Sequence, residues 1–300
     1  MPQMEPDRET LKNMRPNHTA FVGVDSDGCV FDTMDIKQKQ CFHGQIVAQW
    51  RLEPIERLVR ETAEFVNLHS KSRGRNRFLC LVETMDRLRR RPEAIASDAP
   101  IPALTDLKAF IASGAALGHP ALEQAAREAG SAELAAVLDW SLQVNAAIEA
   151  TVKNVPPFPW ARECLELMGK SADLVCVSQT PYEALAREWA ENGLQSAVRA
   201  IAGQELGTKS EHIALATSGR YAPDRILMIG DAPGDRKAAR DNGALFYPIV
   251  PAREAESWER LYREGFERFL AGSFAGDYEE RLAAAFDAAL PDIPPWTETN

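Results

Sequence analysis

The segment Thr19-Ala20-Phe21-Val22-Gly23-Val24-Asp25-Ser26-Asp27-Gly28-Cys29-Val30-Phe31-Asp32 runs from an apolar strand directly into two acids and a glycine. The carboxylates therefore fall at a strand tip, the edge where α/β proteins place most of their chemistry. Alternate residues of an extended chain point the same way, so Asp25 and Asp27 can address one pocket. Gly28 permits a sharp turn without steric cost. Two acids aimed together are unfavourable unless a proton or a cation intervenes. Taken alone, the same string also fits a plain turn closed by Asx hydrogen bonds.

The rest of the chain sets the frame. Its 300 residues, 45% of them hydrophobic, suffice for one large core or two smaller ones. No apolar stretch reaches the length of a membrane span, and residues 1–16 are polar with no signal-peptide core. Five scattered cysteines (Cys29, Cys41, Cys80, Cys164 and Cys176) make no Cys-x-x-Cys, which argues against a disulfide scaffold or a zinc cluster. A cytoplasmic location is the expectation. The net charge of −10 disfavours nonspecific nucleic-acid binding, and neither nucleic acid nor membrane is expected as a partner.

From about residue 34 to 155 the pattern is helix after helix. Spans 38–50, 55–68, 76–90, 104–112, 120–129 and 132–150 carry apolar residues three and four apart, punctuated by Pro54, Pro92, Pro100, Pro102 and Pro120. The stiff connector Val155-Pro156-Pro157-Phe158-Pro159 follows. Strands are then expected at 174–177, weakly at 197–202, at 225–229 and at 244–250. Helices are expected at 182–192, 211–217 and 236–242, with an amphipathic tail over 258–290 packed on the core. Alternating strands and helices imply right-handed crossovers and a parallel sheet. The predicted organisation is a discontinuous α/β core, residues 1–33 and 156–300, interrupted by an all-helical domain, residues 34–155.

Parallel strands put their carboxyl ends on one edge, so residues distant in sequence can converge there. Ser178 follows the strand at 174–177, and Asp231 follows that at 225–229 within Gly230-Asp231-Ala232-Pro233-Gly234-Asp235. Lys209 stands in Gly207-Thr208-Lys209-Ser210. Oxygen ligands from Asp25 and Asp231 suit Mg²⁺, and a hydroxyl and an ammonium suit phosphate oxygens. Asp-x-Asp-Gly-x-x-x-Asp, a strand-terminal Ser, a lone Lys and Gly-Asp-x-x-x-Asp, in this order, resemble the four motifs of the haloacid dehalogenase superfamily.

That resemblance covers the α/β core and implies a Rossmann-like fold with an inserted helical cap that closes over the site. It implies that Asp25 is the nucleophile, forming an aspartyl-phosphate, and that Asp27 protonates the leaving oxygen and later activates water. Asp25, the main-chain carbonyl of Asp27, Asp231 and Asp235 would surround the metal, with Asp235 orienting either the metal shell or Lys209. Cys29 stands where Thr is common, and Gln179 where Asn is frequent. The implied activity is a Mg²⁺-dependent phosphatase acting on a small phosphorylated metabolite. An acid at Asp27 favours departure of an alkoxide over dehalogenation. A phosphomutase is the nearest alternative; a non-catalytic phosphoacceptor switch or binding module is the alternative of a different class. Ser178 could equally cap the helix that follows it.

One stretch of the helical domain is strongly basic. Lys71, Arg73, Arg75, Arg77, Arg87, Arg89, Arg90 and Arg91 face only Glu83 and Asp86, a local excess of six positive charges. Lys71, Arg73, Asn76 and Arg77, around Gly74, are candidates for binding an anionic substrate. Arg87 to Arg91 read as a solvated helix end, where cations suit the dipole.

Overall fold

A computed structural model describes residues 7–298. Residues 1–6 and 299–300, assigned above to the ends of the core, lie outside the described residues. The chain divides into two compact units, Met1–Met34 with Asn154–Leu290, and Asp35–Lys153 with Pro291–Asn300.

The first unit is built on a five-stranded, wholly parallel sheet. Its strands are β1 (Phe21–Val24), β2 (Asp173–Val177), β3 (Ala200–Ala202), β4 (Ile226–Gly230) and β5 (Leu245–Pro248). The order β3-β2-β1-β4-β5 puts β1 at the centre. Val24 is level with Cys176 on one side and Ile229 on the other, so β1, β2 and β4 end together. Every residue of those three strands is buried, as expected of strands covered on both faces. Phe21, Val175, Val177, Met228, Phe246, Ile213 and Phe286 form one continuous core with Leu11. The strand expected at 197–202 is shorter: residues 195–197 form a 3₁₀ turn before β3. A helix at Ala161–Met168, not foreseen, leads into β2. The return of the chain is fixed at its neck, where Phe158 N–H donates to the Val30 carbonyl at 2.8 Å and Phe31 bridges Pro157.

The second unit is all-helical within the described residues. Trp140, Val137, Leu134, Phe42, Phe78, Leu81, Met85, Leu107 and Leu122 make up much of its core. The helix expected from 38 enters through a π-helical turn, Lys37–Phe42. Residues 291–298, assigned above to the core, instead cluster with this unit. Trp296 lies edge-on to Phe65 at 5.3 Å, and the Arg91 guanidinium sits 4.5 Å from the Trp296 ring centre. The expectation for Arg87 to Arg91 is corrected here. Arg91 is buried and pairs with Glu61 at 2.9 Å, and Arg87, 13% exposed, pairs with Glu83 and Glu298. Arg89 and Arg90 are exposed. No helix among the described residues is long and apolar enough to cross a membrane.

Candidate active site

Asp25 continues the sheet by one residue. Its N–H donates to the Ile229 carbonyl at 3.0 Å, so its backbone is held as firmly as β1 itself. The chain then folds on itself. The Ser26 carbonyl receives the N–H groups of Cys29, Val30 and Phe31 at 3.2, 2.9 and 3.1 Å. Gly28 supplies the left-handed residue this needs, at φ 77°. Trp258 closes the turn from outside, donating its indole N–H to the Cys29 carbonyl at 2.9 Å. Ser26 N–H donates to Asp25 Oδ1 at 2.8 Å, which fixes the carboxylate plane.

Lys209 is the first residue of the helix Lys209–Thr217, which Thr208 and Glu211 secure with reciprocal capping bonds. Its ammonium lies 2.7 Å from Asp25 Oδ2 and 2.6 Å from Asp235 Oδ1. Asp231 follows β4 directly and is fully buried. Asp25, Asp231 and Asp235 can each offer a carboxylate oxygen within 4.8 Å of the others. Asp235 Oδ2 also accepts the Ala232 N–H at 3.0 Å, which anchors it at the start of the helix Pro233–Asp241. Gly230 is what makes room for it. A Cβ there would stand 2.3 Å from Asp235 Cγ, deep inside contact distance.

The electrostatics of this group are unbalanced. Three buried carboxylates against one ammonium leave two formal negative charges when all are ionised. Burial pushes Asp25 well above the usual carboxylate range. Lys209 opposes the shift, and Asp235 and Asp231 reinforce it. Burial alone would lower the pKa of Lys209, but Asp235 and Asp25 outweigh it and the ammonium is held firmly protonated. A small divalent cation, which takes carboxylate oxygens by preference, would relieve the remaining repulsion and let Asp25 ionise. The all-oxygen donor set fits Mg²⁺.

Asp27 is placed differently. Thr33 Oγ1 donates to its Oδ1 at 2.5 Å and Thr180 Oγ1 to its Oδ2 at 2.6 Å, so two hydroxyls set its orientation. Its carboxylate is not one of the three that cluster. Ser178 ends β2, with its N–H on the Ala202 carbonyl at 3.0 Å and its Oγ accepting from Thr180 N–H at 3.2 Å. The helix-capping alternative does not hold: the following helix, Tyr182–Glu191, is preceded by Pro181, and Glu205 receives the Tyr182 N–H. Thr33, Thr180 and the chain from Trp189 through Ser26 to Glu188, each link 3.0 Å, escaped the reading of the sequence. Hydroxyls six residues after Asp27 and two after Ser178 were the only available signal. In isolation they look like ordinary turn residues.

The four candidates of the basic segment part company. Lys71 pairs with Asp292 at 2.6 Å. Arg73 is buried, with Nη1 on the Leu68 carbonyl at 3.0 Å. Asn76 caps the helix Arg77–Leu88 through Phe78 N–H and donates to the Leu117 carbonyl at 2.9 Å. These three serve the architecture of the helical unit. Arg77 pairs with no carboxylate among the described residues; its surroundings are Ser141, Asn145 and Phe42.

No family model and no curated protein matches the chain. Solved structures similar to it include a haloacid dehalogenase-like family hydrolase from Streptococcus pneumoniae (15% identity, 80% of this chain and 90% of that one, TM-score 0.42). Another is a predicted phosphoglycolate phosphatase from Haemophilus somnus (15%, 76% and 84%, TM-score 0.41). A third is an L-2-haloacid dehalogenase from Xanthobacter autotrophicus (15%, 88% and 87%, TM-score 0.38). At such identities and TM-scores the chemistry has to be argued from the residues of this chain.

Proposed function

We propose that this chain is a cytoplasmic phosphatase of haloacid dehalogenase type, acting with Mg²⁺ on a small phosphorylated metabolite. The observation that carries the reading is the division of labour at the end of β1. Asp25 is held rigidly beside Lys209, Asp231 and Asp235, while Asp27 is steered separately by Thr33 and Thr180. Asp25, Asp231 and Asp235 would hold the ion, which supplies charge neutralisation for the phosphoryl oxygens and favours the ionised form of Asp25.

In the first step a carboxylate oxygen of Asp25 bonds to phosphorus and the ester P–O bond breaks. The departing oxygen keeps the electron pair and takes a proton from Asp27. Lys209 stays protonated and offsets the charge spread over the equatorial oxygens. In the second step Asp27 accepts a proton from water as that water bonds to phosphorus. The bond to Asp25 then breaks, releasing phosphate and restoring the carboxylate.

Steady release of inorganic phosphate from an aryl phosphate and from members of a phosphomonoester panel is the expected result. It should require added Mg²⁺ and vanish on chelation. No turnover on any phosphomonoester in a broad panel overturns the proposal. Gly230→Ala provides a finer check, because its methyl must displace Asp235 from Lys209 and from Ala232 N–H. Misplacement on the ångström scale at a reacting centre costs about 10²-fold in turnover. A variant with unchanged kcat would mean that the position of Asp235 is irrelevant to the chemistry.

A further inference from the structure

Arg87 and Arg91, the well-covered guanidinium groups at the end of the helix Arg77–Leu88, come with acids: Arg87 has Glu83 and Glu298, and Arg91 has Glu61. Arg77, at the start of the same helix, has no ion pair to any described residue. Its guanidinium lies against the Phe42 ring, 5.1 Å from the centre. All three of its hydrogen bonds to described residues come from Nη1: to the Ser141 carbonyl at 3.2 Å, Ser141 Oγ at 2.9 Å and Asn145 Oδ1 at 2.8 Å. That uses one nitrogen of a planar fork that carries five N–H donors. Burial pulls its pKa down only to about 10, so it stays charged at neutral pH.

Two further donors stand around it. His119, first residue of the helix His119–Ala129, has Nε2 at 2.7 Å from Ser141 Oγ. In the neutral tautomer in which the Ser141 hydroxyl donates to Nε2, Nδ1 carries the ring hydrogen and can meet a ligand as a donor. Burial and the Arg77 charge both lower the pKa of His119, in keeping with that neutral state. Asn145 lies one turn beyond Ser141 on the helix Ala132–Thr151 and is exposed. Its Oδ1 accepts from Arg77, so its amide N–H₂ is a donor directed elsewhere. Three helices thus bring a cation and neutral donors together at a surface-reaching spot, with no acid paired to the cation among the described residues. Such an arrangement is costly for a fold alone and suited to an incoming anion.

We propose that Arg77, His119, Ser141 and Asn145 form a binding site for a carboxylate- or phosphate-bearing small molecule. The anion takes the Nε and Nη2 hydrogens of Arg77 side-on, with Asn145 and His119 as flanking donors. The ligand is held within the helical unit, and its binding does not depend on the phosphatase reading.

The full-length Asp25→Asn protein, which is not expected to turn over phosphate esters, is titrated with inorganic phosphate and, separately, with malonate. The His119 ring proton shifts serve as the local readout. Saturable movement of those shifts is expected, weakened about tenfold, or about 1.4 kcal/mol, by Arg77→Gln. Asn145→Ala, at an exposed position, should weaken it in the same direction and stands in if Arg77→Gln folds poorly. His119 shifts that stay put with both anions overturn the site, even if the protein proves to be an active phosphatase. Anion binding that is unweakened by both Arg77→Gln and Asn145→Ala also overturns the site.

Discussion

Asp25→Asn is expected to abolish phosphate release while leaving a folded, cation-binding protein. The substitution removes the attacking oxygen without changing the shape of the side chain. Loss of a nucleophile costs on the order of 10⁴- to 10⁶-fold, because the remaining groups have no bond to make. The fold should tolerate it. Asp25 is one of three buried carboxylates around a single ammonium, and burial, Asp235 and Asp231 all oppose its charge. Lys209 keeps Asp235 at 2.6 Å. In metal-free buffer the variant should therefore melt no lower than the wild type. Added Mg²⁺ should raise the melting temperature of the wild type more than that of the variant, since ligand binding to the native state stabilises in proportion to affinity. Melting curves with and without Mg²⁺, beside a phosphate-release assay, test both halves. Residual activity within tenfold of wild type would assign the attack to another group. A variant that fails to fold would show Asp25 to be structural.

Asp25, Ser178 and Asp231, three parts of this site that were readable from sequence, share one property: each sits where a buried apolar run stops. β1, β2 and β4 are buried on both faces, so their hydrophobic runs are unbroken, and Asp25, Ser178 and Asp231 mark their ends. β3 was harder to place because only three residues pair, and the residues before it curl into a turn. The helix Ala161–Met168 carries apolar residues at Ala161, Cys164, Leu165 and Met168, but eight residues after a run of prolines make a weak periodic signal. What could not be read are pairings across long sequence separation. Nothing near Thr180 announces Asp27, 153 positions away. Nothing near Arg91 announces Trp296, which turns an apparently solvated helix end into a covered one. The same holds in reverse for Arg77. Composition identified a basic segment, but only the placement of the acids among the described residues separates Arg77, without one, from Arg87 and Arg91, which have them.

Asp27→Asn should produce a different defect from Asp25→Asn, and the difference bears on the proposed chemistry. Asp27 acts twice in that scheme, giving a proton to the leaving oxygen and taking one from water. An aryl oxide leaves without much protonation, so an activated aryl phosphate should still phosphorylate Asp25 in the variant. Water attack then lacks its base. The expected result is a burst of aryl alcohol equal to the enzyme concentration, a steady rate lower by about 10²- to 10⁴-fold, and phosphorylated protein recoverable after quenching. An alkyl phosphate, whose leaving oxygen needs the proton, should show no burst. Thr180→Val provides the companion measurement. It removes one of the two hydroxyls that aim Asp27, held at 2.6 Å, without touching the carboxylate. It should lower kcat several-fold with little change in KM, and the two variants combined should be no slower than Asp27→Asn alone. Equal slowing of aryl and alkyl substrates by Asp27→Asn, with no burst and no phosphorylated protein, would remove Asp27 from the proton transfers. Its two threonine bonds would then be a turn-stabilising feature of the β1 exit and nothing more.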